Sequence, residues 1–110
     1  MILLDMIGDA DLTLTLSRDT DPGLLARLNT IASRQGVADR VTIYPRGTIL
    51  DDHRPFQDLG IPAINLIDFD YGPRNRFWHT ADDTLDKLSP QSLAIVGNLA
   101  THLLLDIARQ

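Results

Sequence analysis

Residues 78–83 carry more groups capable of chemistry than any other stretch of the sequence. Trp78, the only tryptophan, adjoins His79, and a threonine, an alanine and two aspartates follow. A neutral imidazole is a common zinc ligand, and nearby carboxylates can fix its tautomer. A turn around a partly buried tryptophan would explain the same residues without chemistry. The stretch by itself therefore leaves both interpretations open.

Two further acidic groups stand near the expected ends of strands. Asp5 is the only charge in an apolar run at residues 2–7, where a lone carboxylate needs a hydrogen bond, an ion partner or a metal. Asp51 and Asp52 precede His53 and a short predicted helix. One of these carboxylates is expected to cap that helix; as neighbouring like charges, the two can also raise one pKa and share a proton. Each group is thus a candidate with a structural alternative.

The elements that position these residues alternate between strands and helices. Apolar runs predict strands at 2–7, 41–44 and 61–67, of which the first has the pattern of a buried strand. At 11–16, threonines alternate with leucines, which predicts a half-buried strand or an extended edge. Cap and spacing signals predict helices at 22–35, 52–59 and 90–110. This order predicts an α/β fold, with a mainly parallel sheet flanked by helices. Because active-site residues gather at the carboxyl ends of parallel strands, Asp5, Asp51 and His79 are expected to converge at one edge.

Composition excludes several classes of protein. The 110 residues suit one domain, and a net charge of -5 argues against a nucleic-acid partner, whose phosphates require clustered Lys and Arg. Cysteine is absent, so neither disulfides nor thiolate metal sites are expected. No apolar run approaches the ~20 residues of a membrane span, so no transmembrane segment is predicted. All fifteen acidic residues are aspartates, and the chain has no glutamate base.

Four segments in order resemble one enzyme family. Residues 3–8, 51–56, 60–67 and 78–83 together are similar to the zinc aminopeptidase superfamily that also contains the glutaminyl-peptide cyclotransferases. The similarity extends over nearly the whole chain. It implies that residues 1–110 form a single partial domain, the carboxyl-terminal half of a zinc-exopeptidase-like α/β catalytic domain.

The resemblance implies a role for four residues. His79 matches the family's last zinc ligand, and Trp78 matches an indole that lines the cyclotransferase substrate pocket. Asp5 matches an aspartate that binds metal in the two-zinc aminopeptidases and hydrogen-bonds the catalytic glutamate in the one-zinc cyclotransferases. Asp51 matches a cyclotransferase aspartate in the same proton-handling network. Asp5 and Asp51 are therefore expected to be catalytic, Trp78 to bind substrate and His79 to bind zinc.

Departures from the family pattern limit what these residues can do alone. Leu50 stands where the cyclotransferases often carry glutamine, and the loop before Trp78 is longer than usual. The family's earlier zinc-binding aspartate and its pair of glutamates lie upstream of the segment matched by Asp5. The economical interpretation is that Met1 is an internal or artificial start and that another half precedes it. A short, non-catalytic binding or assembly module is the competing interpretation.

The expected function follows from this resemblance. We expect part of a zinc cyclotransferase that acts on peptide amino termini, favoured over a zinc aminopeptidase because Trp78 directly precedes His79. The isolated chain should be inactive and should bind zinc poorly. Family members are commonly exported, which implies a secreted or periplasmic location. The opening strand lacks neighbours, so its unpaired sheet edge is expected to favour self-association.

Overall fold

The computed structural model describes all 110 residues, Met1–Gln110. Short strands alternate with helices as the sequence predicts. The elements are β1 (Ile2–Asp5), β2 (Leu14–Leu16), α1 (Pro22–Arg34), β3 (Val41–Ile43), α2 (Arg54–Asp58), β4 (Ile64–Ile67) and α3 (Pro90–Ala108). Single 3₁₀ turns lie at Ala38–Arg40, Pro73–Asn75 and Leu85–Lys87.

All pairing between these strands is parallel. β1 pairs with β4, placing Asp5 opposite Ile67, and β2 pairs with β3. β2 also lies beside β4, where the Thr15 hydroxyl donates to the Ile67 carbonyl (3.3 Å) and accepts from the Phe69 amide (2.9 Å). The strands therefore form two two-stranded ladders that lie side by side in the order β1, β4, β2, β3. The predicted α/β class, with parallel strands flanked by helices, is confirmed.

The main core lies between these strands and helices α1 and α3, which pack against each other. Its twelve residues are all apolar, and Leu28, Leu99 and Leu103 are among those with no exposed surface. The cap signals in the sequence act as predicted. The Asp21 carboxylate accepts from the Leu24 amide at 2.9 Å and begins α1, while Ser89 caps α3. Local capping thus sets where the two core helices start.

Three local expectations are wrong. β1 is not a buried strand but a half-exposed one, because its only partner strand is β4. β2 does not alternate between buried and exposed residues; Thr15 is buried, since both hydrogen-bonding functions of its hydroxyl are satisfied. Neither carboxylate before α2 caps that helix, because Asp51 accepts from the amide of its own neighbour, Asp52.

Helix α3 departs from the expectation that no segment is suited to a membrane. By length and composition alone, this 19-residue helix is long and apolar enough to cross one. A single such helix is weak evidence, because core helices of soluble proteins meet the same criterion. One face of α3, with Val96, Leu99 and Leu103, is buried in the core, whereas Leu93 and Leu104 are exposed.

Candidate functional site

The four residues selected from the sequence line a single cavity of about 560 Å³. Asp5 enters it from the end of β1, and Asp51 from the segment before α2. Trp78 and His79 enter from the long loop that follows β4. The structure therefore brings together residues separated by up to 74 positions, at the carboxyl ends of parallel strands where such sites form. Their chemical roles remain predictions.

The backbone is strained at two points of this cavity. Met6, directly after Asp5, has a φ of 50°, and His79 has a φ of 52°. This left-handed conformation costs roughly 1–2 kcal/mol per residue other than glycine. Met6 is held there in part by its carbonyl, which accepts from the Asp68 amide at 3.3 Å. Such strain tends to cluster at functional sites, where surrounding structure enforces it.

Asp5 and Asp51 form a carboxyl pair. Burial, followed by the hydrogen bond and repulsion from Asp51, raises the pKa of Asp5 to about 6. The pKa of Asp51 is lowered, although its burial acts in the opposite direction. Two donors hold Asp51 in its ionised form: the Asp52 amide at 2.7 Å and Asn65 Nδ2 at 2.8 Å. A proton that the pair binds, below about pH 6, therefore resides on Asp5.

The sequence assigned no role at the site to two buried residues near this pair. Asn65 lies within β4 and is 1% exposed; its amide nitrogen donates to Asp51, while its oxygen has no protein partner. His53, which precedes α2, is also buried, and its Nδ1 lacks a protein partner. A single polar residue inside an apolar strand, the signal that selected Asp5, could also have identified Asn65.

Stacked rings form the wall beside the carboxyl pair. The Trp78 indole stacks on the His79 imidazole with centroids 4.1 Å apart and planes 19° apart. Phe69 packs against the indole at 5.5 Å. These contacts restrict the orientation of His79 while leaving Trp78 38% exposed. An apolar surface thus lines the cavity directly beside an imidazole.

The donor set in this cavity does not fit a complete zinc site. Catalytic zinc takes three protein ligands and an open position. No group of three or more His, Cys, Asp or Glu side chains among the 110 residues is arranged to hold a metal ion. His79 and Asp5 share the cavity, but a zinc ion bound there would need further ligands from outside these residues.

The parallel α/β fold agrees with the comparisons with known proteins, which identify it as zinc-exopeptidase-like. The model of Peptidase family M28 matches residues 1–104. The chain therefore belongs to this family, and the resemblance to the zinc aminopeptidases and glutaminyl-peptide cyclotransferases is confirmed.

Individual relatives include cyclotransferases and an aminopeptidase. The chain is 38% identical over 64 residues to a glutaminyl-peptide cyclotransferase-like protein from Bos taurus, covering 58% of this chain and 15% of that protein. The glutaminyl cyclase structure from an Acidobacteriales bacterium matches with a TM-score of 0.85 and 40% identity, over 93% of this chain and 36% of that one. The structure of a leucine aminopeptidase precursor from Bacteroides thetaiotaomicron matches with a TM-score of 0.79 and 25% identity, again over 93% of this chain and 36% of that one. The chain thus spans little more than a third of each structure.

Proposed function

We propose that this chain forms part of the active site of a glutaminyl-peptide cyclotransferase, which converts an amino-terminal glutamine to pyroglutamate and releases ammonia. The observation that carries the proposal is the carboxyl pair of Asp5 and Asp51 in one cavity with the stacked Trp78 and His79. The similarity to the Acidobacteriales glutaminyl cyclase, at 40% identity, supports the same reaction.

The reaction needs a proton to move between two nitrogens. The substrate's α-amino nitrogen attacks the γ-carbonyl carbon, the bond from that carbon to the carboxamide nitrogen breaks, and this nitrogen departs as ammonia. A proton released by the attacking amine must reach the leaving nitrogen. The sequence has no glutamate, so the base that carries this proton comes from outside these residues. Asp5 and Asp51, whose pKa values are shifted in opposite directions, hold and tune that base.

The aromatic wall suits the substrate of this reaction. A small amide side chain must lie flat and close to the attacking amine for a five-membered ring to form. The partly exposed Trp78 indole offers such a surface, and its stacking on His79 keeps it in place. Trp78 therefore binds the glutaminyl side chain, and His79 contributes one ligand to a single zinc ion completed by residues elsewhere.

An aminopeptidase is the second candidate, favoured by the similarity to the Bacteroides leucine aminopeptidase precursor. Its reaction uses two zinc ions and water to release the amino-terminal residue, and Asp5 would then be a metal ligand. A third candidate, a non-catalytic binding or assembly module, is favoured by the lack of a three-ligand cluster. The products distinguish all three.

The test joins this chain to the part of the Acidobacteriales glutaminyl cyclase that it does not cover. We expect the chimera, supplied with zinc, to release ammonia and pyroglutamyl peptide from a glutaminyl peptide. Asp51→Asn should lower this turnover by about 100-fold, in the range of a lost proton-transfer contribution. The 110-residue chain alone should show no turnover and weak zinc binding.

Asp52→Asn is the matched control, because it removes a neighbouring carboxylate that is exposed and does not line the cavity. It should retain activity within about threefold of the parent chimera, the scale of a change at an exposed residue. Release of free amino acids instead of ammonia would replace the cyclotransferase proposal with the aminopeptidase. A folded chimera that shows neither activity would favour the non-catalytic binding or assembly module.

A further inference from the structure

Asp83 lies on the cavity wall and takes no part in the proton transfer proposed above. It follows His79 by four residues, and its amide donates to the Thr80 carbonyl at 3.2 Å, which closes a turn. This turn directs the Asp83 carboxylate back to the cavity that His79 lines. Asp82, its neighbour in sequence, does not line the cavity and lies 3.8 Å from the Arg76 guanidinium.

A buried phenol holds the Asp83 carboxylate in place. Tyr71 Oη donates to Asp83 Oδ1 at 2.7 Å, and Tyr71 is only 7% exposed. Burial, followed by the hydrogen bond to Asp83, raises the pKa of Tyr71 to about 12, so the phenol remains a donor at physiological pH. The Phe77 ring packs on Tyr71 at 5.4 Å. Phe77 also occupies the space where a side chain at Gly72 would begin, so this packing requires glycine there.

Two other carboxylates of the cavity already have two hydrogen-bond donors each, and the remaining one is paired with a carboxylate. Asp9 accepts from the backbone amides of Asp11 and Gly72, and Asp51, the neighbour of Asp5, accepts from the two donors described above. Asp83 has Tyr71 as its donor and no Lys or Arg within ion-pair distance. Neither Lys nor Arg lines the cavity. One oxygen of Asp83 is therefore available to a cationic donor from a ligand.

We propose that Asp83, positioned by Tyr71, binds the free amino group of the peptide substrate. This inference rests on the proposed function, and it adds a residue that determines specificity for unblocked amino termini. An ammonium or amine at this point donates to Asp83 Oδ2 while the neighbouring side chain lies against Trp78. A peptide whose amino group is acetylated loses the charge and keeps only one N–H donor, on an amide nitrogen that is no longer basic.

The test is NMR titration of the isotope-labelled 110-residue chain with glutaminyl-glycinamide and with N-acetyl-glutaminyl-glycinamide. The readout is the dissociation constant of the acetylated peptide divided by that of the free amine, because a merely structural change weakens the binding of both peptides alike. We expect the unmodified chain to prefer the free amine by about tenfold, which corresponds to ~1.4 kcal/mol. Asp83→Asn should reduce this ratio to about one, and Tyr71→Phe to about three, since the carboxylate then remains but is less well held.

Asp82→Asn is the matched control: it removes the same charge one residue away and should leave the ratio unchanged. An Asp83→Asn variant that keeps the parent ratio would overturn this inference and leave the proposed function intact. Equal binding of the two peptides by the unmodified chain would also overturn it. If neither peptide binds, both this inference and the claim that these 110 residues hold part of the peptide site are wrong.

Discussion

The core beneath α1 and α3 has the apolar packing and helix caps typical of a stable fold, whereas the cavity at the strand ends contains strained backbone and buried charge. The core cluster has twelve apolar residues, with helices that begin at well-formed caps. The cavity holds left-handed Met6 and His79, together with a pair of neighbouring carboxyl groups of which one has a raised pKa. Unfavourable backbone conformations and buried charges occur at functional sites, and the rest of the fold supplies the stability that they cost. We therefore expect changes in the core to act on stability and changes in the cavity to act on binding and pH dependence.

The largest effect is expected in the core. Leu99 has no exposed surface and packs between α3 and the strands, so Leu99→Ala should reduce the free energy of unfolding by about 3–5 kcal/mol. Leu104→Ala, on the same helix but 59% exposed, should change it by less than about 0.5 kcal/mol. Urea denaturation measures both. Equal losses from the two variants would show that α3 is not anchored by its buried face.

The next effect concerns Asp68, a carboxylate with no exposed surface in the loop that follows β4. Burial raises its pKa from 3.8 to about 7, despite hydrogen bonds from the Thr13 and Asp70 amides, and repulsion from Asp9 and Asp70 adds to the increase. Between about pH 4 and pH 7 the native state binds this proton and the unfolded state does not. Stability should therefore fall as pH rises through this interval, by about 2–4 kcal/mol.

The variant Asp68→Asn isolates this contribution, because the carboxamide does not titrate. Urea denaturation at several pH values should show the unmodified protein losing stability relative to Asp68→Asn as pH rises from 4 to 7. Asp5, whose pKa is also raised, contributes equally to both proteins and cancels in the difference. Parallel pH profiles would mean that Asp68 titrates normally and that its burial is relieved by motion of the loop.

The smallest effect is expected at the free edge of β1, where we propose that two copies of the protein associate. β1 has β4 as its only partner, and Leu4 on this strand is 44% exposed. Sedimentation at tens of micromolar should give a mass above the 12.2 kDa of the monomer. Leu4→Lys should shift the mass toward the monomer, because lysine on an edge strand discourages pairing.

A matched control for this edge is Leu59→Lys. It adds the same charge at a leucine that is 79% exposed near the end of α2, away from β1, and should leave association unchanged. A parent protein that sediments as a monomer and binds no hydrophobic dye would contradict the proposal. That result would mean that the half-exposed strand is stable without a neighbour.

Much of the fold could be predicted because its signals are local. Asp21-Pro22 and Ser89-Pro90 mark the starts of α1 and α3, and apolar spacing identifies the buried faces of both helices. The pattern around β2 failed for the opposite reason. Thr15 is polar, which predicts exposure, but donors and acceptors more than fifty residues away make its burial favourable. A sequence pattern cannot show partners that only folding brings near.

The sequence by itself determined which groups are available at the candidate site: Asp5 at a strand end, Asp51 before a helix and His79 beside the single Trp78. It also determined that a glutamate base is lacking. The tertiary structure alone decided that the pKa of Asp5 is raised and that of Asp51 lowered, since the two lie 46 residues apart and a pKa depends on burial and on neighbours in space. The same holds for Asn65 behind that pair and for the Tyr71 hydroxyl on Asp83.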